Sequence, residues 1–371
     1  MPTVLLAGAF GQRNPGDDAL LDAFAGALPG WDVVATASAP PFGGSTASVS
    51  SGEPSQVARR VAGADAVVFA GGTVFKELSP ATGRPPLDLL RKGLALAFGS
   101  KALGKPLALV GVGASPLRER RARRLARGLV RQADLLVLRD EESGGVLAEA
   151  GAPAPFRIGA DAAWTLLDAP PVRRRGGDGV IVALSHEAGG LDLAGELAAA
   201  LVPVLAAGFP VALQPWQVGG PVRPDDLDLA RAVREQLGGT AELLVPPADL
   251  ADACATFAGA GLVVGLRFHA LLAAASAGTP FVALAHEPKL AALARRLGQP
   301  AVTPAAASEA LGGVVLDAAR EPRPVSPAAV RGEIARSEEG LRLLRLLLSD
   351  GRSEEADMIG ALPLRPSEWA S

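Results

Sequence analysis

The chain has 371 residues but one cysteine, three histidines and no tyrosine. The lone Cys254 rules out an internal disulfide framework and fits a reducing compartment. His186, His269 and His286 lack HExxH or HxH spacing, so no metal site is expected. No GxSxG elbow is present, which excludes the usual hydrolase triad. No apolar run reaches the roughly 18 residues that a spanning helix requires. The start, Met1-Pro-Thr-Val-Leu-Leu, carries no basic region or cleavage site, so a cytoplasmic protein is expected. Basic excess is missing too: a formal charge of −3 argues against a general nucleic-acid binder.

What is present is a globular composition, 49% hydrophobic and 20% charged. Short apolar runs alternate with helical patterns. Strands are predicted at Val4–Ala9, Asp32–Ala37, Ala66–Ala70, Leu107–Val112, Leu135–Leu138 and Phe156–Ile158. Helices are predicted at Asp17–Leu28, Pro54–Ala62, Leu87–Leu103, Arg120–Gln132 and Glu142–Ala150. A proline- and arginine-bearing stretch, Asp168 to Gly179, breaks the alternation. It restarts with strands at Val180–Ser185, Val211–Pro215, Glu242–Val245, Leu262–Leu266 and Phe281–Ala285, interleaved with helices. This pattern means βαβ units and parallel sheets. The expected fold is α/β, two Rossmann-like domains facing across a cleft, which is the layout of the GT-B glycosyltransferase fold. The expected divisions are a first domain over 1–168, a linker over 169–179, a second domain over 180–325, a C-terminal helix over 326–348 and a tail over 349–371.

In open α/β sheets ligands bind at the carboxyl ends of strands, so residues at those ends are the candidates. "GAFGQRNPGDDALL", Gly8 to Leu21, opens the first helix but lacks the GxGxxG spacing and the lysine of a P-loop. Of its two aspartates, Asp18 reads as a helix cap and Asp17 as a carboxylate able to take a proton from a hydroxyl. "FAGGTVFKE" holds Gly71 and Gly72, which either form a tight turn or let backbone approach a ligand. "VLRDEES" sets Arg139 at a strand end, where its fork suits a carboxylate or phosphate or pairs with Asp140 or Asp161. "GLRFHALLAAASAGTP" puts Arg267 and His269 where a strand hands over to a helix, and a helix start suits anions. "LAHEPKL" adds His286, Glu287 and Lys289 at the next strand end. Arg118 to Arg131 form a basic helix, read as a solvated face or as a surface for anionic headgroups or a diphosphate carrier.

These motifs, in this order, resemble the polysaccharide pyruvyl transferases and, within them, the CsaB-like cell-wall branch. The resemblance rests on "NPGDDALL", "AGGTVFKE", "VGVGASPL", "VLRDEES", "GADAAW", "QPWQ", "GLRFHALLAAASAGTP" and "HEPKL", and spans roughly residues 3 to 300. Ala70, Glu77, Phe268 and the pair His286-Glu287 depart from the usual pattern. The resemblance implies transfer of pyruvate from phosphoenolpyruvate, a co-substrate, onto two sugar hydroxyls as a cyclic ketal, with no cofactor or metal. It assigns phosphoenolpyruvate to Arg139, Arg267, Phe268 and Lys289, general-acid work to His269 and proton acceptance to Asp17. Asn14, Gly16, Gly71 and Gly72 fall on the acceptor side. The implied acceptor is N-acetylmannosamine of a lipid-linked precursor of a secondary cell-wall polymer that anchors surface-layer proteins. The implied location is the inner membrane face; the Arg118–Arg131 helix, on the second of its two readings, is the place for a peripheral contact there.

Two other classes fit part of the pattern. A GT-B glycosyltransferase would use a nucleotide sugar and needs an acid for the ribose, for which Glu287 is the candidate. A carrier-binding protein could keep the fold without the chemistry; Arg139, Arg267, His269 and Lys289 weigh against it.

Overall fold

The computed structural model describes residues 1–39, 46–79, 83–153, 155–169, 177–220, 224–303 and 308–349. Most of the expected linker (170–176) and tail (350–371) lies outside these residues.

The first half contains β1 (Thr3–Phe10), α1 (Pro15–Ala27), β2 (Asp32–Ala37), β3 (Ala47–Ser50), α2 (Pro54–Gly63), β4 (Ala66–Ala70), β5 (Thr73–Phe75), α3 (Asp88–Ala102), β6 (Leu107–Ala114), α4 (Arg120–Gln132), β7 (Leu135–Leu138), α5 (Glu141–Glu149) and β8 (Arg157–Ile158). Its strands run parallel in the order β3-β2-β1-β4-β6-β7-β8, with short β5 added to the end of β6. A 3-10 helix over Ala162–Leu166 follows. The second half contains β9 (Val180–Ala183), α6 (Leu193–Ala206), β10 (Val211–Gln214), α7 (Asp226–Gln236), β11 (Glu242–Leu243), α8 (Leu250–Ala258), β12 (Leu262–Gly265), α9 (Phe268–Ser276), β13 (Phe281–Leu284), α10 (Pro288–Arg296), β14 (Ala301–Val302) and α11 (Ser308–Arg320). Its parallel order is β11-β10-β9-β12-β13-β14. The last helix is α12 (Pro327–Ser349).

The apolar runs are near-continuous because both faces of each sheet are covered. Adjacent residues on a strand point to opposite faces. Leu5, Val67 and Leu109 therefore pack with Leu90 of α3 and Leu129 of α4. Their neighbours Leu6, Val68 and Val110 join Leu20 and Phe24 of α1 on the other side. Likewise Val180 and Val182 face α6 and α7, while Ile181 and Ala183 face α8 and α9. The cluster holding α1 runs on through Trp216, Phe257 and Leu271, so one apolar core spans both halves. Trp216 stacks on Phe257 with ring centroids 6.5 Å apart at its centre.

Both sheets change winding direction once: between β1 and β4 in the first, and between β9 and β12 in the second. Crevices open at such switch points, and the loops after these strands carry Asn14, Gly71, His186 and Arg267. Three features add to the sequence expectation. β3 and β5 are short strands at sheet margins, and α11 packs on α6 with Gly312 against Ala200 and Pro203. Helix α12 returns to the first sheet and lays Val330, Leu341 and Leu344 into its core.

Leu344 has no exposed surface, whereas Leu346 is half-buried. Leu344→Ala should cost about 2–5 kcal/mol through lost burial and the cavity left behind. Leu346→Ala should cost well under half of that, with urea unfolding as the measurement.

Candidate functional site

The first wall is the turn from β1 into α1. Gly11 has φ +69°, and a Cβ there would lie 1.9 Å from the Ala39 carbonyl oxygen, so only glycine fits. Asn14 caps α1: its Oδ1 accepts from Gly16 N at 3.2 Å, and Pro15 fills the first helical position. Asn14 Oδ1 also accepts from Trp216 Nε1 of the second half at 3.1 Å, and Asn14 Nδ2 donates to Asp17 Oδ2 at 2.8 Å. Burial pushes the Asp17 carboxyl above its ordinary range, against the opposing pull of His269, Lys289 and Arg267. The cap expected of Asp18 belongs to Asn14 instead. Asp18 Oδ1 accepts from Gly11 N at 2.9 Å and so ties down the loop ahead of the helix. Gly71 and Gly72 both have positive φ and turn β4 into β5, with Gly71 against Leu20 and Gly72 O accepting from Gly113 N.

The second wall is built on Arg267, the residue before α9. Its guanidinium donates to Asp226 through Nε at 3.2 Å and through Nη2 at 2.9 and 3.0 Å, a forked charge-assisted pair. Asp226 is fully buried yet well supplied with donors: the backbone N–H groups of His186, Trp216 and Gln217 all reach it. Its other neighbour is the His186 ring, with Nδ1 at 2.6 Å. Burial would raise its pKa, but Arg267 and the His186 contacts outweigh that and hold it at about 2. Arg267 Nη1 points the other way, 3.6 Å from Glu187 Oε1.

The walls meet at His269, in the first turn of α9. A Cβ on Gly16 would stand 2.1 Å from His269 Nδ1, so the imidazole lies directly on the backbone of α1. His269 Nε2 is buried without a hydrogen-bond partner, 3.6 Å from Asp161 Oδ1. Burial raises the Asp161 carboxyl, and His269 and Arg139 more than cancel that, leaving it below the usual range. Arg139 lies over Gly113, where a Cβ would be 2.4 Å from its Nη2. Its Nε donates to Asp140 at 3.2 Å, its Nη1 is 3.7 Å from Asp161, and the Phe268 ring sits 4.5 Å from its Cζ. Both pairings open to Arg139 from the sequence are thus made, yet its Nη2 stays buried without a hydrogen bond.

Toward solvent lies a second charged group. Glu287, ahead of α10, pairs with Lys289 and stands 3.8 Å from Lys76, which follows β5 of the first sheet. Lys289 first, then Lys76, hold its carboxyl far below the ordinary range against burial. Arg267, Lys289 and Lys76 likewise lower Glu187 against its desolvation. Burial depresses His286. Glu77, the acid of the glycine motif, is turned away: its Oε1 accepts from Arg118 N at 2.6 Å and Glu119 N at 2.8 Å, steadying the entry to α4.

Asn14, Gly16, Asp17, Arg139, Arg267, Phe268, His269 and Lys289 therefore converge between the two sheets, with Gly72 beneath through Gly113. Sequence reading missed Asp226 and Lys76 and gave Asp161 only a pairing role. Asp225 already caps α7 through a capping box with Asp228, so the redundant Asp226 in "PDDLD" was the signal available. Lys76 and Asp161 had none beyond their motifs. Among the described residues, no group of three or more His, Cys, Asp or Glu side chains is arranged to hold a metal.

A family model described as polysaccharide pyruvyl transferase matches residues 14–288. Comparison with curated proteins finds no match. Among solved structures, Staphylococcus aureus MnaA in a co-structure with UDP is 11% identical, covers 94% of this chain and 97% of its own, and has a TM-score of 0.62. A putative UDP-N-acetylglucosamine 2-epimerase from Listeria monocytogenes is 14% identical over 95% and 98%, also at 0.62. The Methanocaldococcus jannaschii UDP-GlcNAc 2-epimerase with UDP-GlcNAc and UDP is 13% identical over 94% and 100%, at 0.61. At such identities the likeness carries the GT-B-type fold alone.

Asp226 generates a pH prediction. Its folded pKa of about 2 lies below the ordinary 3.8, so its contribution is complete above 3.8 and is lost as pH falls toward 2. Asp226→Asn should destabilise the protein by about 2 kcal/mol or more near neutral pH. The gap from the parent should narrow on acidification through that window, read as melting midpoints against pH.

Proposed function

Because the chain belongs to the polysaccharide pyruvyl transferase family, and is therefore a transferase, we propose that it moves pyruvate from phosphoenolpyruvate onto a pair of sugar hydroxyls. One observation carries the reading: the His269 imidazole of the second half faces Asp17 at the α1 start, with Arg139, Arg267 and Lys289 around them. A small donor with a carboxylate and a phosphate needs several cations, and these supply them without a metal.

In the proposed reaction a sugar oxygen bonds to the enol carbon that bears the phosphate, while the methylene carbon takes a proton from His269 and becomes a methyl group. Asp17 accepts the hydroxyl proton; its raised affinity for protons suits that task. The carbon–oxygen bond to phosphate then breaks, phosphate leaves with the electron pair, and the second hydroxyl closes the ketal, its proton passing to the His269 imidazole that gave one up. Asp161 Oδ1, 3.6 Å from His269 Nε2, holds the ring in place from behind. Lys76 adds a cation from the first half. The acceptor wall is Asn14, Gly16, Gly71 and Gly72. By likeness to the cell-wall branch, the acceptor is a lipid-linked saccharide ending in N-acetylmannosamine, met by a peripheral enzyme at a membrane face. Among the described residues, no helix is long and apolar enough to cross a membrane.

A nucleotide-sugar glycosyltransferase is the second reading, favoured by the UDP-bound structures of like fold. The acid it would need for ribose, Glu287, is instead engaged by Lys289 and Lys76.

Thermal unfolding with phosphoenolpyruvate, set against UDP- and GDP-sugars, separates the two. A ligand at about 100 times its dissociation constant adds roughly 2.7 kcal/mol of stability. A shift with phosphoenolpyruvate alone is expected, reduced by Arg267→Lys. His269→Ala should keep that shift and lose turnover. A shift only with a nucleotide sugar would overturn the proposal.

A further inference from the structure

We infer that the outer face formed by α4 and the adjoining edge of α3 is a docking surface for an anionic lipid bilayer. The inference deepens the lipid-linked part of the proposed function and rests on that reading for its purpose, though not for its geometry.

Helix α4 buries Ala122, Ala126, Leu129 and Val130 against the sheet. Directly opposite, Arg120, Arg124, Arg127 and Arg131 recur at i, i+4, i+7 and i+11. At 3.6 residues per turn these fall in one stripe, about 16 Å long. Arg120, Arg124 and Arg131 are exposed and Arg127 is half-buried, and exposed Arg118, Arg121 and Arg123 flank them. The one acid in this stretch is Glu119. Among the described residues, none of these arginines enters an ion pair. Their spacing is close to or within the roughly 8 Å Debye length at physiological salt, so they act on a charged surface as one patch. The chain as a whole is negative, at −3, which makes the patch local.

Apolar side chains stand beside the stripe. Leu94 of α3 packs on Gly128 of α4, and Lys101 pairs with Asp134 just past the end of α4 at 2.6 Å. Phe98 lies one turn beyond Leu94 on the same side of α3, between the positions that make these contacts. It is 53% exposed, as is Leu103. Arg59 and Arg60 of α2, the helix next to α3, are exposed as well. A convex row of cations with aromatic and aliphatic side chains at its edge matches the headgroup–acyl boundary of a bilayer. Single-stranded nucleic acid would call for a groove with stacking aromatics instead.

The face is joined to the site. Glu77 holds the backbone entering α4, and the residue before it, Lys76, reaches the charged group of the cleft. The stripe therefore starts at the cleft rim. A saccharide anchored in a bilayer lying on α4 would meet the acceptor wall without leaving the surface.

The test uses the full chain, co-sedimented with vesicles of phosphatidylcholine alone or mixed with phosphatidylglycerol, at low and high salt. Binding to the anionic vesicles alone, weakened by salt, is expected. Each arginine near such a surface is worth about fivefold in affinity. Arg120→Gln/Arg124→Gln/Arg131→Gln should therefore weaken binding about a hundredfold. Glutamine keeps the helix propensity, and an unchanged melting midpoint checks the fold. Phe98→Ser, a separate variant, should weaken the binding that survives high salt. Equal binding to both vesicles, no binding, an unaffected triple variant, or tighter binding to duplex DNA or RNA than to vesicles would overturn the inference. Vesicle binding that persists in a protein unmoved by phosphoenolpyruvate would strike the chemical reading and leave the surface standing.

Discussion

The site depends on how closely the His269 ring approaches the backbone of α1 at Gly16. With any side chain at that position the imidazole could not lie where it does, since even a Cβ would stand 2.1 Å from its Nδ1. The contact joins the switch points of two parallel sheets, each of which would otherwise present only half a site. Asn14 secures it twice. Its Oδ1 caps α1 and accepts from Trp216, and Trp216 is in turn seated on Phe257 inside the shared core. The proton-bearing groups are therefore held by packing that runs through both halves of the molecule.

Charge in the cleft is arranged in two depths. The inner group, Arg139 with Asp140, Asp161 and His269, is buried, and burying charge is costly unless each member is paired. Three buried atoms of the group make no hydrogen bond, Arg139 Nη2, Asp161 Oδ2 and His269 Nε2; under the proposed reading the two nitrogens are the donors left for a ligand. The outer group sets Glu187 and Glu287 among Arg267, Lys289 and Lys76. Those carboxylates neutralise the cations, and a donor anion of the proposed kind would compete with them. Asp226 differs from both groups. Fully buried and met by three backbone donors, it orients Arg267 and leaves only Nη1 facing outward.

Much of this was legible in the sequence because parallel sheets write themselves locally. A strand buried on both faces is an apolar run, and its last residue opens on the cleft, so Arg139, Arg267 and His269 could be picked from strand ends alone. Asp17 was found the same way, while its neighbour Asp18 was misassigned because a carboxylate in a first helical turn has two outlets. It can cap the helix or reach back into the loop, and here Asn14 had already taken the cap. Asp226 and Lys76 act on partners that arrive from distant segments, at sequence separations of 41 and 211 residues (267 − 226 and 287 − 76). No periodicity reports such a pairing. The marginal strand β3 escaped for another reason: its sequence, ASVS, is mostly exposed and writes no apolar run, while β5 spans three residues straight after the Gly71-Gly72 turn.

The division of labour between the halves has a chemical consequence. The proposed acid lies on one half and the proposed base on the other, so the coupled step, protonation of carbon with activation of a hydroxyl, needs both halves. The cations are divided too: Arg267 and Lys289 come from the second half, Arg139 and Lys76 from the first. Under the proposed reading, an anion bridging them would touch both halves at once. A donor with two anionic groups is suited to that role in a way that a neutral sugar is not.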